Sequence, residues 1–172
     1  MTMLARLTAV TLPAVLCSWL APGLIAGLIA GPAQADTIKE LTGYWSGNGS
    51  IALSNGKTER VKCSVLYRAD GGTQIRQTMR CASPDYSINS LAELRVKGSQ
   101  VSGTWEEKTY SAKGDVTGRF GGDSFSLSIQ GATFSAAMNV TLSSCKQSLS
   151  ITPQGLDVTR VSISLAKDRC GE

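Results

Sequence analysis

From about residue 42 onward, every apolar segment of this chain is followed within a few residues by a cluster of turn-formers. These clusters include Ser54-Asn55-Gly56-Lys57, Asp70-Gly71-Gly72, Ser83-Pro84-Asp85, Gly98-Ser99, Ala112-Lys113-Gly114, Gly121-Gly122-Asp123, Gly131 and Thr152-Pro153-Gln154-Gly155. They recur roughly every ten residues, the spacing of short strands in a barrel or sandwich. Parallel neighbours need a crossover of about a dozen residues or more, and no connection here is that long. The chain is therefore expected to be all-β, an antiparallel up-and-down meander of nine or ten strands. The strands fall at about 44–53, 58–68, 73–82, 88–97, 101–109, 115–120, 124–130, 133–142, 147–151 and 156–166. An open meander leaves two unpaired edges and a closed one leaves none, so a barrel is expected, with a two-sheet sandwich as the alternative. Residues 36–41 read as one short helical turn capped by Asp36 or Thr37.

Side chains alternate between the two faces of a strand, and this selects the inner wall. Val61, Cys63, Val65 and Tyr67 share a face opposite Arg60, Lys62, Ser64 and Arg68. Ile75, Gln77, Met79 and Cys81 do the same in the next strand, as do Phe125, Leu127 and Ile129, and then Phe134, Ala136, Met138, Val140 and Leu142. A phrase of aliphatic, Ser or Thr, Gly, any residue and aromatic occurs three times. Its copies are Leu41-Thr42-Gly43-Tyr44-Trp45, Val101-Ser102-Gly103-Thr104-Trp105 and Val116-Thr117-Gly118-Arg119-Phe120. Each reads as a wall segment with its aliphatic, glycine and aromatic facing inward. In the last strand the parity changes between Leu156/Val158 and Val161/Ile163/Leu165, which places a bulge near Thr159-Arg160.

Arg6 is the only charge before Asp36, and residues 7–30 are almost wholly apolar. Ala33-Gln34-Ala35 has the small-x-small form of a signal-peptidase site. The expected organisation is a signal peptide over 1–35 and a single barrel domain over 36–172, in a periplasmic or secreted protein. The apolar stretch is also long enough for an uncleaved anchor, against which Pro13 and Pro22 argue. Leu16 ahead of Cys17 argues against lipidation. Cleavage leaves Cys63, Cys81, Cys145 and Cys170, an even set that reads as two disulfides in an exported domain. Cys63 and Cys81 face inward on adjacent strands, equidistant from a hairpin centred near Gly72, and are expected to pair. Cys145 and Cys170 then pair by elimination, at the same rim.

The chain contains no histidine, so histidine-dependent nucleophiles are excluded and the commonest metal ligand is missing. A net charge of +4 is spread over residues that alternate with apolar ones, the pattern of a solvated sheet face and not of a nucleic-acid stripe. The glycine-rich turns lead from strand to strand, whereas a phosphate loop leads into a helix. Glu106 and Glu107 are adjacent and so face opposite ways. The reading is a non-enzyme with no catalytic residues, metal or cofactor. Tyr67, Gln77 and Glu107 are polar positions on the inward face, where polar groups need partners. With Trp105 they form the candidate ligand-binding set. Small inward residues (Gly47, Gly49, Ala92, Gly103, Gly118, Ala136) either leave a cavity or let large neighbours fill the centre.

Gly43-Tyr44-Trp45, at the start of the first strand after a helical turn, resembles the Gly-x-Trp signature of lipocalins and other calycins. The resemblance implies that Trp45 closes the barrel floor under a basic side chain from the end of the last strand. Lys167 or Arg169 stands at that place, with Arg160 further off. It also implies carriage of a small apolar molecule. The later lipocalin motifs and the long C-terminal helix are missing, so the likeness is to a reduced calycin-like barrel. The same segment resembles small periplasmic barrels that inhibit metalloproteases through their N-terminal segment and rim, though those typically carry one disulfide. The expected function is a non-enzymatic exported barrel binding a small apolar or amphipathic molecule. The alternative is a protein-binding barrel, either a protease inhibitor or an envelope-assembly factor. The expected partners are accordingly a small hydrophobic ligand or an envelope protein, with no nucleic acid and no stable membrane span after cleavage.

Overall fold

A computed structural model describes residues 32–170, so most of the expected leader lies outside the described residues. A helix, α1 (Pro32–Leu41), precedes ten strands: β1 (Gly43–Leu53), β2 (Thr58–Asp70), β3 (Gln74–Ala82), β4 (Ser87–Lys97), β5 (Gln100–Glu107), β6 (Ala112–Phe120), β7 (Ser124–Gly131), β8 (Ser135–Ser143), β9 (Lys146–Gln154) and β10 (Val158–Lys167). Each strand pairs with its sequence neighbours, and β1 pairs antiparallel with β10 to close the barrel. The expected meander and its closure are both present. Connections after odd-numbered strands lie at one end. Those after even-numbered strands lie at the other, together with α1.

The helix starts four residues earlier than the expected turn, so neither Asp36 nor Thr37 stands at its start. It ends where Thr42 folds back, its N–H donating to the Lys39 carbonyl at 3.1 Å and its hydroxyl to the Ile38 carbonyl at 3.1 Å. Gly43 then adopts φ 127°, a conformation that costs glycine little, and the chain enters β1. Ile38 and Leu41, three apart and thus on one helical face, are both buried against the barrel.

The parity switch in β10 is a bulge at Thr159. Ala52 stands opposite Arg160 and Leu53 opposite Val158, so Thr159 has no pairing partner on β1. Its hydroxyl donates to the Ala52 carbonyl at 3.1 Å. Cys63 and Cys81 are directly opposed in the β2–β3 register and form the expected bridge on the inner wall, with Cα atoms 4.1 Å apart. Cys145, in the β8–β9 turn, and Cys170, beyond β10, are also bridged, with Cα atoms 5.8 Å apart. The Lys167 N–H donates to the Cys145 carbonyl at 2.9 Å alongside.

Large apolar side chains fill the barrel, among them the fully buried Trp45, Ile51, Leu149 and Ile163. Inward glycines bring wall strands close together. A Cβ at Gly103 would overlap the Glu93 carbonyl oxygen of β4, so no larger residue fits without moving the strand. Among the described residues, no helix is long and apolar enough to cross a membrane.

Candidate functional site

Tyr67, Gln77, Ala92 and Trp105 stand side by side across β2, β3, β4 and β5, each opposite the next in register. Inward parity puts each on the inner wall, and the strand register lines them up in one row. Above this row lies a cavity of about 30 Å³, lined by all four, by Leu41 of α1 and by apolar side chains of β3, β4 and β6–β8. Roughly 10–15 Å³ is enough to hold one water, so the space takes one or two. Of the two outcomes open to the small inward residues, filling by large neighbours is the one observed.

At one end of the row, three buried polar side chains meet. Gln77 Nε2 donates to the Tyr67 hydroxyl at 3.0 Å, and Gln147 Nε2 donates to it at 3.0 Å. The hydroxyl lies 3.2 Å from Gln147 Oε1 and can donate there. Gln147 comes from β9, 80 residues from Tyr67, so the cluster bridges the barrel interior. Burial pushes the Tyr67 phenol up to about 12, against the opposing pull of the two glutamines. The phenol therefore stays neutral throughout the physiological range. Gln147 was missing from the candidates read in the sequence. Its signal was available, because Gln147, Leu149 and Ile151 share one parity against Ser148 and Ser150.

Glu107 faces inward but is not among the side chains lining the cavity. One oxygen accepts from the Asn89 N–H at 2.7 Å, the other from the Tyr110 N–H at 2.6 Å. Burial raises its carboxyl, but these bonds, with further bonds to Thr109, outweigh that and hold it below its ordinary value. The carboxylate thus clamps the β5–β6 connection to β4. Trp105 is half-buried and meets Phe134 edge to face, with ring centroids 5.8 Å apart and planes at 67°.

At the α1 end, Trp45 Nε1 donates to the Leu41 carbonyl at 2.8 Å. Lys167 stands opposite Trp45 in register. Its Nζ sits 5.7 Å from the indole centroid and donates to the Glu40 carbonyl. Gly43 leaves room for this lysine, since a Cβ there would lie 3.2 Å from Lys167 Cε. Arg169 is exposed beyond β10, and Arg160 is exposed at the opposite end of that strand. Among the described residues, no group of three or more His, Cys, Asp or Glu side chains could hold a metal ion, and no buried side-chain N or O lacks a hydrogen-bond partner.

No protein-family model matches the chain. No curated protein matches it either. Solved structures do match in fold. The crystal structure of Rv2717c from M. tuberculosis is 16% identical with a TM-score of 0.68, over 81% of this chain and 99% of that one. The S-type phycobiliprotein lyase CPES from Guillardia theta is 10% identical with a TM-score of 0.58, over 79% and 93%. EF1p2_mFAP2b bound to DFHBI is 10% identical with a TM-score of 0.50, over 78% and 99%. At these identities the likeness is one of fold.

Proposed function

We propose that this is an exported, non-enzymatic, calycin-like barrel that binds one small apolar or amphipathic molecule in its interior. The observation that carries the reading is the row itself: a buried Tyr67–Gln77–Gln147 cluster at one end of an otherwise apolar cavity. Burying such groups costs free energy unless they are hydrogen-bonded, and here they bond one another at the edge of the apolar space, where a ligand's polar group could exchange with them. A fold neighbour bound to DFHBI supports the idea that such a barrel can hold a small molecule. The expected leader and the Cys63–Cys81 bridge support export. Occupancy requires side chains to move, because the resting cavity is far below the roughly 300–1,000 Å³ of a typical ligand site.

Native mass spectrometry of protein purified from its own envelope tests this reading. A co-purifying small molecule that is lost on unfolding is expected. Ligand-free protein that also takes up no apolar probe would overturn it.

The filled centre favours a second reading, a protein-binding barrel. Tyr110 and Leu156 are exposed, 60% and 48%, in the β5–β6 and β9–β10 connections, hence at the same rim. Pull-down from periplasmic extract should then return a partner that is lost in Tyr110→Ser/Leu156→Ser. Recovery of no partner would remove this reading.

A further inference from the structure

The row of Tyr67, Gln77, Ala92 and Trp105 has a direction. Three inter-strand spacings of about 4.8 Å make it about 14 Å long between backbones. It begins with two hydrogen-bonding groups, passes a methyl group and ends in an indole. At the indole end the inner wall loses its side chains. Trp105 stands opposite Gly114, and Gly114 stands opposite Gly131. A Cβ at Gly131 would overlap the Phe134 ring, so that ring lies directly over the glycine. Trp105 borders both the cavity inside and a groove on the outer wall that also touches Leu91, Thr104, Gly114 and Gly131.

Of the cavity-lining residues, only Trp105 and Leu94 are partly exposed. Beside Leu94 the wall is tied shut. Ile75 is buried there, and the Val96 N–H donates to the Thr73 carbonyl at 2.7 Å across the rim. The α1 end is held by the bonds from Trp45 and Lys167. At the Trp105–Phe134 junction the Gly131 N–H donates to the Phe134 carbonyl at 2.9 Å, so the backbone there is tied as well. What separates cavity from groove is the contact between the two rings, which side-chain rotation alone can open.

We propose that the interior ligand is a neutral molecule with an apolar body and one hydrogen-bonding group, lying along this row with that group at Tyr67 and reaching it past the Trp105–Phe134 contact. The proposal rests on the interior-binding reading above. No ionisable carboxylate or basic side chain lines the cavity, and Glu107 already spends its carboxylate on the wall. A charged ligand would lose its hydration with no counter-charge to meet it. A neutral one needs only to exchange with a glutamine amide at the Tyr67 hydroxyl. Displacement of the indole outward joins its volume to the cavity without breaking a ladder hydrogen bond.

The test uses two probes of similar ring size, neutral N-phenyl-1-naphthylamine and anionic 1-anilinonaphthalene-8-sulfonate, followed by their own fluorescence in stopped flow. The neutral probe is expected to saturate at one per chain, with the anionic probe at least about tenfold weaker. Tyr67→Phe should weaken the neutral probe. Trp105→Ala should speed its association severalfold, and Leu94→Ala should do so less. Phe134→Leu serves as an independent second opening of the junction, with near-UV circular dichroism checking that each variant keeps its packing. Equal affinity for the anionic probe would overturn the ligand class. Unchanged association in both junction variants, or a larger gain at Leu94, would overturn the route. Failure of both probes to bind the native chain would instead remove the interior-binding reading itself.

Discussion

The Trp45 indole N–H donates to the carbonyl oxygen of Leu41, four residues earlier, at 2.8 Å. The last carbonyls of a helix have no partner within it, so this bond satisfies one of them and ties α1 to the first wall strand. The same indole carries the Lys167 ammonium over its face, so the first and last strands meet the helix at one point. Trp45→Phe keeps most of the packing but leaves the Leu41 carbonyl without its donor. A loss of about 1–3 kcal/mol is expected in urea unfolding, with an unchanged m-value. Lys167→Met, which removes the cation over the indole and the exposed bond to the Glu40 carbonyl but keeps the apolar stem, should cost less, about 0.5–1 kcal/mol.

Tyr67→Phe deprives both Gln77 and Gln147 of a shared buried partner and should cost about 1–3 kcal/mol at neutral pH. Its pH dependence has a distinct sign. The folded phenol keeps its proton up to about pH 12, whereas in the unfolded chain it loses it near pH 10. The stability linked to this group is complete below pH 10 and falls by about 1.4 kcal/mol per pH unit as pH rises toward 12. Unfolding curves of the native chain and of Tyr67→Phe should therefore converge above pH 10. A constant gap across that range would contradict the buried phenol.

Glu107 shows the opposite sign. Its folded carboxyl titrates below the ordinary 4.5, so its contribution is complete above that value and is lost as pH falls through the folded one. Glu107→Gln should be less stable at pH 7 by about 1.5–3 kcal/mol, since two charge-assisted backbone bonds are weakened. The difference from the native chain should shrink as pH is lowered below about 4.5. Hydrogen exchange at the Tyr110 amide should rise in the variant, because that N–H loses its carboxylate.

Non-reducing peptide mapping should return Cys63 linked to Cys81; a Cys63–Cys145 peptide would contradict the register of β2 and β3. Replacing both Cys63 and Cys81 by serine should cost about 2–4 kcal/mol, as the bridge closes a segment of 18 residues.

Much of the candidate site was legible in the sequence, because inward parity on a strand is local. Tyr67, Gln77 and Trp105 were each placed on the inner wall by counting from a neighbouring aliphatic. Glu107 was placed there too, but parity says nothing about what a side chain reaches for, and its oxygens go to backbone N–H groups at the rim. Gln147 was read only as the start of a strand. Its inward parity with Leu149 and Ile151 is local, whereas its contact with a residue 80 positions away is not written in any local pattern.

By itself, then, the sequence determined the antiparallel meander, its inner face, a bulge near Thr159-Arg160 and the opposition of Cys63 and Cys81. Turn chemistry and a period of two specify these over a few residues at a time. The tertiary structure alone decided that Lys167, and not Arg169, covers Trp45. It also decided that Gln147 crosses to Tyr67, and that the inward glycines bring strands together instead of leaving a large void. Those outcomes depend on barrel curvature and on how large side chains from opposite walls interdigitate, which is a property of the closed volume and not of any one strand.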